Sequence, residues 1–167
     1  MKLVSKVYKS LLCLSLAVIP SAALAVGPVI DGNKTATDVL VETSTTWTTL
    51  LTTQVTIPAG SVFHCEVTCA STVNVPLDTD SDNNYYYAAS NSTALSTTDG
   101  CVRRFDTKQD AGNVDDIDKL VVSTTCFIPS LSGSPTFYCL GRKVSTTDVD
   151  LTIADTSMHA ICIDDRG

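Results

Sequence analysis

Apolar and polar side chains alternate along residues 46–71, and this alternation limits the possible folds more than any other feature of the sequence. A turn at residues 58–60, Pro-Ala-Gly, divides the stretch in two. A period of two is typical of strands that bury one face. If Ile57 lies opposite Phe63, one antiparallel register buries the whole apolar set, so we expect a hairpin here. The apolar residues of matching parity are Trp47, Leu51, Val55, Ile57, Phe63, Cys65, Val67 and Cys69.

The first 25 residues have the features of a secretory signal peptide. Lysines precede an apolar run at residues 11–19, and a small-residue cleavage site ends at Ala25. The run is too short to span a bilayer as a helix, and no later segment is long and apolar enough. We therefore expect residues 1–25 to be removed and residues 26–167 to form a single domain, either secreted or located in the periplasm or at the cell surface.

The charge of the processed chain argues against two classes of partner. Cleavage after Ala25 would remove three lysines and change the formal net charge from −7 to −10. Nucleic acids and anionic membranes both attract basic surfaces. We therefore expect the partner of this chain to be neither of these.

Six cysteines would remain after cleavage, and an even number in an exported chain predicts disulfides. Cys65 and Cys69 are four residues apart on one strand, so their Cα atoms would be about 13 Å apart. That distance is too long for a disulfide between them. The six are Cys65, Cys69, Cys101, Cys126, Cys139 and Cys162.

A second hairpin fixes the expected pairing. Residues 127–135 contain two prolines and a glycine, and a hairpin centred there would place Cys126 opposite Cys139. We predict a Cys126–Cys139 disulfide on this ground. Cys65 and Cys69 would then pair with Cys101 and Cys162, in an order that the sequence leaves open.

The remaining pattern predicts an all-β fold, since no segment has a sustained helical period. Short threonine-rich strands with frequent turns are typical of an antiparallel β-sandwich or jelly roll. Residues 117–128 and 136–144 are two of these strands, and residues 149–154 and 157–163 form a closing hairpin. The final strand is apolar on both faces, because Ile161 and Ile163 alternate with Met158, Ala160 and Cys162. It is therefore either covered on both sides or in contact with another subunit on one face.

Two segments resemble the jelly-roll domains of the C1q and tumour-necrosis-factor type. The first is residues 45–70, where a Trp/Thr-rich strand runs into VTIPAG, and the second is residues 136–164, where a strand ending in Gly-Arg-Lys-Val precedes a closing hairpin. The resemblance implies a sandwich of about ten strands that often trimerises. It implies no catalytic residues, because such domains bind rather than catalyse.

One loop carries a pattern of metal ligands. Asp78, Asp80 and Asp82 occupy alternate positions in a polar loop, which is a spacing at which oxygen ligands surround calcium. The loop departs from an EF-hand because Asn83 replaces the expected glycine and Ala89 the expected glutamate. A solvated acidic loop is the alternative interpretation.

The sequence therefore favours a non-catalytic exported β-sandwich that acts in binding or self-assembly, with a protein or glycan as its ligand. A calcium-dependent carbohydrate-binding module is the alternative. Trp47 and the three tyrosines at residues 85–87 could stack on sugar rings, or pack in the core or at a subunit interface. No nucleophile elbow is present, so a hydrolase is disfavoured. His64 and His159 are interpreted as surface residues rather than zinc ligands.

Overall fold

A computed structural model describes residues 29–35, 39–41, 46–75, 83–97, 99, 101–107 and 118–165. These residues form nine strands in two antiparallel sheets, which confirms the predicted disulfide-stabilised β-sandwich. Within these ranges there is no helix, and so none that could span a membrane. The strands are β1 (Val29–Thr35), β2 (Val39–Val41), β3 (Thr48–Gln54), β4 (Phe63–Val75), β5 (Asn83–Ser90), β6 (Val102–Thr107), β7 (Asp118–Leu131), β8 (Thr136–Lys143) and β9 (Leu151–Asp164).

The two sheets divide the chain unequally. The five-stranded sheet has the order β1-β9-β4-β7, with β2 also paired to β9. The four-stranded sheet has the order β3-β8-β5-β6. All of these pairs are antiparallel, so neighbouring strands of each sheet can bury side chains of one parity against the other sheet.

The core lies between the sheets and contains side chains from both. Fully buried residues alternate along β4, β7 and β9, as expected for strands with one inner face. The largest fully buried side chains of this core include Tyr85, Tyr87, Phe63, Phe137, Leu151 and Met158. Burial of each large apolar side chain contributes about 1.5 to 3 kcal/mol relative to exposure, so this layer supplies most of the driving force for folding.

The predicted hairpin at residues 46–71 is wrong in its pairing, although the predicted buried parity holds from Val55 to Cys69. The turn exists, because Ser61 N donates to Pro58 O at 3.1 Å and Gly60 adopts a φ of 77°. However, β3 pairs with β8, whereas β4 pairs with β7 and β9. The turn is therefore a corner between the two sheets, since both strands bury the same parity against different partners.

A bulge explains the one irregularity in the alternation. The β3–β8 register shifts between Thr49 and Leu51, which leaves Leu50 as an extra residue on β3. Leu50 is buried, whereas Leu51 is only half-buried against the core. An inserted residue reverses the parity of a strand, so the apolar pair Leu50-Leu51 marks the point where it changes.

The cysteine pairing corrects the second predicted hairpin. The disulfides are Cys65–Cys162, Cys69–Cys139 and Cys101–Cys126, so the predicted Cys126–Cys139 pair is wrong. Cys126 lies on β7 in one sheet and Cys139 on β8 in the other, and the segment between them crosses from sheet to sheet instead of turning back. Cys65–Cys162 is one of the two pairings that the sequence left open for Cys65. The expected pairing of Cys69 with Cys101 or Cys162 is wrong, because Cys69 bonds to Cys139 and Cys101 to Cys126.

Each disulfide joins different parts of the sandwich. Cys65 and Cys162 are directly opposite each other on β4 and β9, with a Cα–Cα distance of 4.1 Å. Cys69–Cys139 connects the two sheets, with a Cα–Cα distance of 5.7 Å. Cys101 precedes β6 and bonds to Cys126 on β7, so a second disulfide also joins the sheets.

The predicted closing hairpin is instead one strand of 14 residues, β9. A register shift opposite Thr72 and Val73 leaves Ala154 as an extra residue, so the strand passes through Asp155 and Thr156 without turning. Met158, Ala160 and Cys162 are fully buried, whereas Ile161 and Ile163 are 38% and 48% exposed. The strand is central in its sheet, and only its inner face is covered by the described part of the chain.

Candidate functional site

The outer face of the four-stranded sheet carries a row of alternating aromatic and cationic side chains. Tyr85 and Tyr87 point into the core, so Tyr86 lies on the opposite, outer face of β5. Tyr86 is in register with Arg104 on β6 and with Arg142 on β8. Trp47, just before β3, continues the row beyond Arg142. We call Trp47, Arg142, Tyr86 and Arg104 the arginine–aromatic row.

Arg142 is held by contacts with both aromatic rings. Its guanidinium carbon lies 5.2 Å from the centroid of the Trp47 ring and 5.1 Å from that of Tyr86. The two rings are 6.4 Å apart and tilted by 53°. A cation over an aromatic face contributes about 0.5 to 2 kcal/mol, so the two contacts orient the guanidinium before any ligand arrives.

Arg104 is oriented by a different set of contacts at the other end of the row. Its Nε donates to Asn84 Oδ1 and to Asp106 Oδ1, both at 3.1 Å, and its Nη2 donates to Asn84 Oδ1 as well. The Arg104 and Asp106 side chains are 54% and 62% exposed. A pair this exposed contributes little to stability, and its groups are accessible to a ligand.

The loop that connects β5 to β6 lies beside the Trp47 end of the arginine–aromatic row. Trp47 Nε1 donates to Leu95 O at 3.0 Å, which ties the β5–β6 connection to the outer face of the sheet. Ala88 and Leu140 have the same parity as Tyr86, yet both are fully buried. The polar row is therefore bordered on this side by a covered apolar area, and the loop restricts how a ligand can approach Trp47.

A second polar cluster lies inside the sandwich and is structural. Ser71 Oγ hydrogen-bonds to Tyr87 OH at 2.7 Å and to Thr156 Oγ1 at 2.9 Å. All three residues are buried. Burial raises the pKa of Tyr87 to about 12, with the Ser71 hydrogen bond acting in the opposite direction. The cluster satisfies polar groups between the sheets and presents no surface to a ligand.

The structure describes only some of the residues that the sequence singled out for chemistry. Asp78, Asp80 and Asp82 lie outside the described residues. His64 is half-buried, hydrogen-bonds to Asp165 and lies 5.1 Å from the Phe127 ring. Within the described ranges, no group of three or more His, Cys, Asp or Glu side chains could hold a metal ion.

Two of the four residues of the arginine–aromatic row are candidates from the sequence alone. Trp47 and Tyr86 were identified as candidate stacking residues, whereas Tyr85 and Tyr87 belong to the core. Arg142 was not identified, because it is 56 residues from Tyr86 in sequence and only the β5–β8 register brings the two together. Aromatic residues at three consecutive strand positions were the available signal, since alternation requires the middle one to face away from the other two.

Comparisons with known proteins add no further assignment. No family model matches the chain, and no curated protein matches it either. The functional interpretation therefore depends on the chemistry of the arginine–aromatic row and of the exposed strands.

Proposed function

We propose that this chain is an exported, non-catalytic protein that binds a neutral oligosaccharide through the arginine–aromatic row. The observation that carries the proposal is the position of Tyr86 between two oriented arginines, with Trp47 beyond. Three disulfides fit an oxidising compartment, which agrees with the signal peptide expected at residues 1–25.

The chemistry of the row suits a sugar because it combines flat apolar surfaces with fixed polar groups. An aromatic ring can stack on the apolar face of a pyranose, while the polar ends of such sites take hydrogen bonds. Arg104 supplies donors, and Asn84 and Asp106 supply acceptors beside Tyr86. Hydroxyl groups need both donors and acceptors, and this edge of the row offers both.

Charge favours a neutral ligand over an anionic one. Asp106 offsets the charge of Arg104, and the processed chain would carry a formal net charge of −10. A polyanion would gain locally from Arg142 but would be repelled by the protein as a whole. The neutral hydroxyl pattern of a plain oligosaccharide meets no such repulsion.

A glycan array with the processed protein tests this proposal. Tyr86→Ala and Arg104→Ala should each weaken binding by about tenfold or more, because one removes the stacking face and the other the oriented donors. Arg103→Ala is the matched control, since Arg103 is in register with the core residue Tyr87 and lies on the other face of β6. Binding that survives both test substitutions, or is lost equally in the control, would contradict the assignment.

The calcium-dependent form of this function depends on Asp78, Asp80 and Asp82, and it remains a prediction. The same array, repeated with a calcium chelator, separates the two forms. Loss of binding on chelation would support the calcium-dependent module, whereas unchanged binding would support the row alone.

Self-assembly is a second candidate function, favoured by the outer face of β9. Ile161 and Ile163 are exposed there, and Phe127 on β7 lies on the same face, with Glu66 between Phe127 and Ile161 in register. Exposed apolar patches of this kind often mark contacts with other proteins. The trimer that the family resemblance implies would use such a face. Sedimentation velocity of the wild-type protein and of Ile163→Lys tests it, since that substitution should abolish a trimer formed through β9.

A further inference from the structure

The strand β7 forms one edge of the five-stranded sheet. Among the strands that the structure describes, β4 is the only one that pairs with it. An edge strand presents a row of backbone donors and acceptors that another strand can pair with. With 14 residues, β7 is as long as any strand in the described parts of the chain.

The middle of β7 lacks the usual features that prevent pairing between molecules. Residues 120–128 read LVVSTTCFI and contain no charged residue, proline or glycine. Such a run has high β-propensity and low charge, which is the composition that favours intermolecular strand pairing. Lys119 and Pro129 flank the run, so the uncharged stretch is nine residues long.

Other edges of the sandwich have protective features. On β6, Arg103 points toward the inner side at the edge of the four-stranded sheet, and the strand is only six residues long. On β3, the bulge at Leu50 distorts the edge. Inward-facing charges, short strands and bulges are all devices that block edge pairing. Their absence from residues 120–128 distinguishes β7 from these two edges.

The most exposed large apolar side chains among the described residues both lie on β7. Val121 is 70% exposed and Phe127 is 61% exposed, and both point to the outer face. Ser123 and Thr125 lie between them on the same face. The two apolar side chains are therefore symmetric about position 124.

We infer that β7 pairs antiparallel with β7 of a second copy of this chain, about a twofold axis at Thr124. In this register Val121 lies opposite Phe127 of the partner subunit, and the symmetry repeats the pair on the other side of the axis. Residues 120–128 of the two copies overlap completely. The five-stranded sheets of both copies then form one continuous sheet, with backbone hydrogen bonds across the junction.

Moving the twofold axis by one position in either direction gives less favourable cross-strand pairs for Val121 and Phe127. An axis at position 123 would place Val121 opposite Thr125 of the partner subunit and Phe127 opposite a lysine. An axis at position 125 would place Phe127 opposite a serine and Val121 opposite a proline, which cannot donate to the ladder. Of these three axes, only the one at Thr124 places the two exposed apolar side chains of the outer face opposite each other, and aromatic–β-branched pairs are among the favourable cross-strand pairs.

Sedimentation of the processed, disulfide-intact protein from micromolar to millimolar concentration should show a monomer–dimer equilibrium. Val121→Lys and Phe127→Glu should each raise the dimer Kd by about tenfold or more, because a twofold interface contains every substitution twice. An equimolar mixture of the two variants should recover dimer, since the register places the introduced lysine of one chain opposite the introduced glutamate of the other.

One matched variant and one measurement on the wild type complete the test. Val144→Lys introduces the same charge at an exposed apolar position away from the β7 edge and should leave the dimer intact. Amide hydrogen exchange of the wild-type protein should show residues 120–128 becoming more protected as concentration rises.

A wild-type protein that stays monomeric at millimolar concentration would overturn the inference. A dimer that persists in both β7 variants, or one that is lost in Val144→Lys, would overturn it as well. The test does not involve sugar binding, so the proposed oligosaccharide binding can fail or hold independently. Assembly through β9 is distinguished by Ile163→Lys, which should disrupt that face and not the β7 edge.

Discussion

The three disulfides are nested, and this arrangement makes their contributions to stability interdependent. Cys65–Cys162 spans 97 residues, Cys69–Cys139 spans 70 and Cys101–Cys126 spans 25. In the chain-entropy model each bond alone would stabilise by about 4.7, 4.4 and 3.5 kcal/mol respectively. When all three bonds are formed, however, a second disulfide shortens the loop that the first one closes in the unfolded chain.

This shortening reduces the number of residues in the loop that the outermost bond, Cys65–Cys162, closes. With Cys69–Cys139 intact, Cys65–Cys162 closes a loop of about 27 residues, made of the segments 65–69 and 139–162. That loop corresponds to about 3.6 kcal/mol. Without Cys69–Cys139, and with Cys101–Cys126 still formed, the loop grows to about 72 residues and about 4.4 kcal/mol.

We therefore expect removal of Cys65–Cys162 to cost about 0.8 kcal/mol more when Cys69–Cys139 is already absent. The comparison uses paired Cys→Ala substitutions in a double-mutant cycle, which cancels the packing lost with each buried sulfur. Urea unfolding under non-oxidising, non-reducing conditions measures the four free energies of unfolding. A coupling of zero, or one of opposite sign, would refute either the nested pairing or the loop-entropy explanation. Peptide mapping of the unreduced protein distinguishes these two failures.

Three further outcomes are expected. Tyr87→Phe should cost about 1 kcal/mol at neutral pH through the lost Ser71 hydrogen bond. The folded-state pKa of Tyr87 is raised from 10.0 to about 12, so the stability that comes from the neutral phenol should be fully present below about pH 10. The free energy of unfolding of the wild type should then fall by about 2 to 3 kcal/mol between pH 10 and 12. Denaturant unfolding across this range should show a smaller fall for Tyr87→Phe. Lys143→Met should lower the free energy of unfolding in urea by about 1 to 3 kcal/mol, since the buried Nζ donates to Asp148 O and Asp150 Oδ1, both at 2.7 Å. Lys143→Arg, which keeps the charge, is the variant for comparison. Millimolar calcium should raise the melting temperature if Asp78, Asp80 and Asp82 bind it, and an unchanged midpoint would contradict that prediction.

The sequence predicts which side chains are buried much better than it predicts strand partners. Alternation placed Val67 and Cys126 on inner faces because a pleated strand leaves only two directions for a side chain. The turn at Pro58 and Gly60 was also real. These are local properties of the backbone, and they do not depend on which strand lies alongside.

Partner choice is not local, and the cysteines show why the prediction failed. A corner between sheets and a hairpin within one sheet need similar turn residues, and here residues 127–135 form a crossing whose turn includes Gly133 with a φ of 71°. Cys126 and Cys139 seemed opposite because a hairpin was assumed. Likewise, Arg142 meets Tyr86 only through the β5–β8 register, which joins residues far apart in sequence.

The nesting of the disulfides also bears on how the protein is made. If the chain is exported from its N-terminus, Cys65 and Cys69 reach the oxidising compartment first, long before their partners Cys162 and Cys139. Only Cys101 and Cys126 are both consecutive cysteines and a native pair. Oxidation in order of arrival would therefore give mispaired species, and maturation should depend on an isomerase. Trapping free thiols during synthesis, with and without that enzyme activity, would show whether the last bond waits for Cys162.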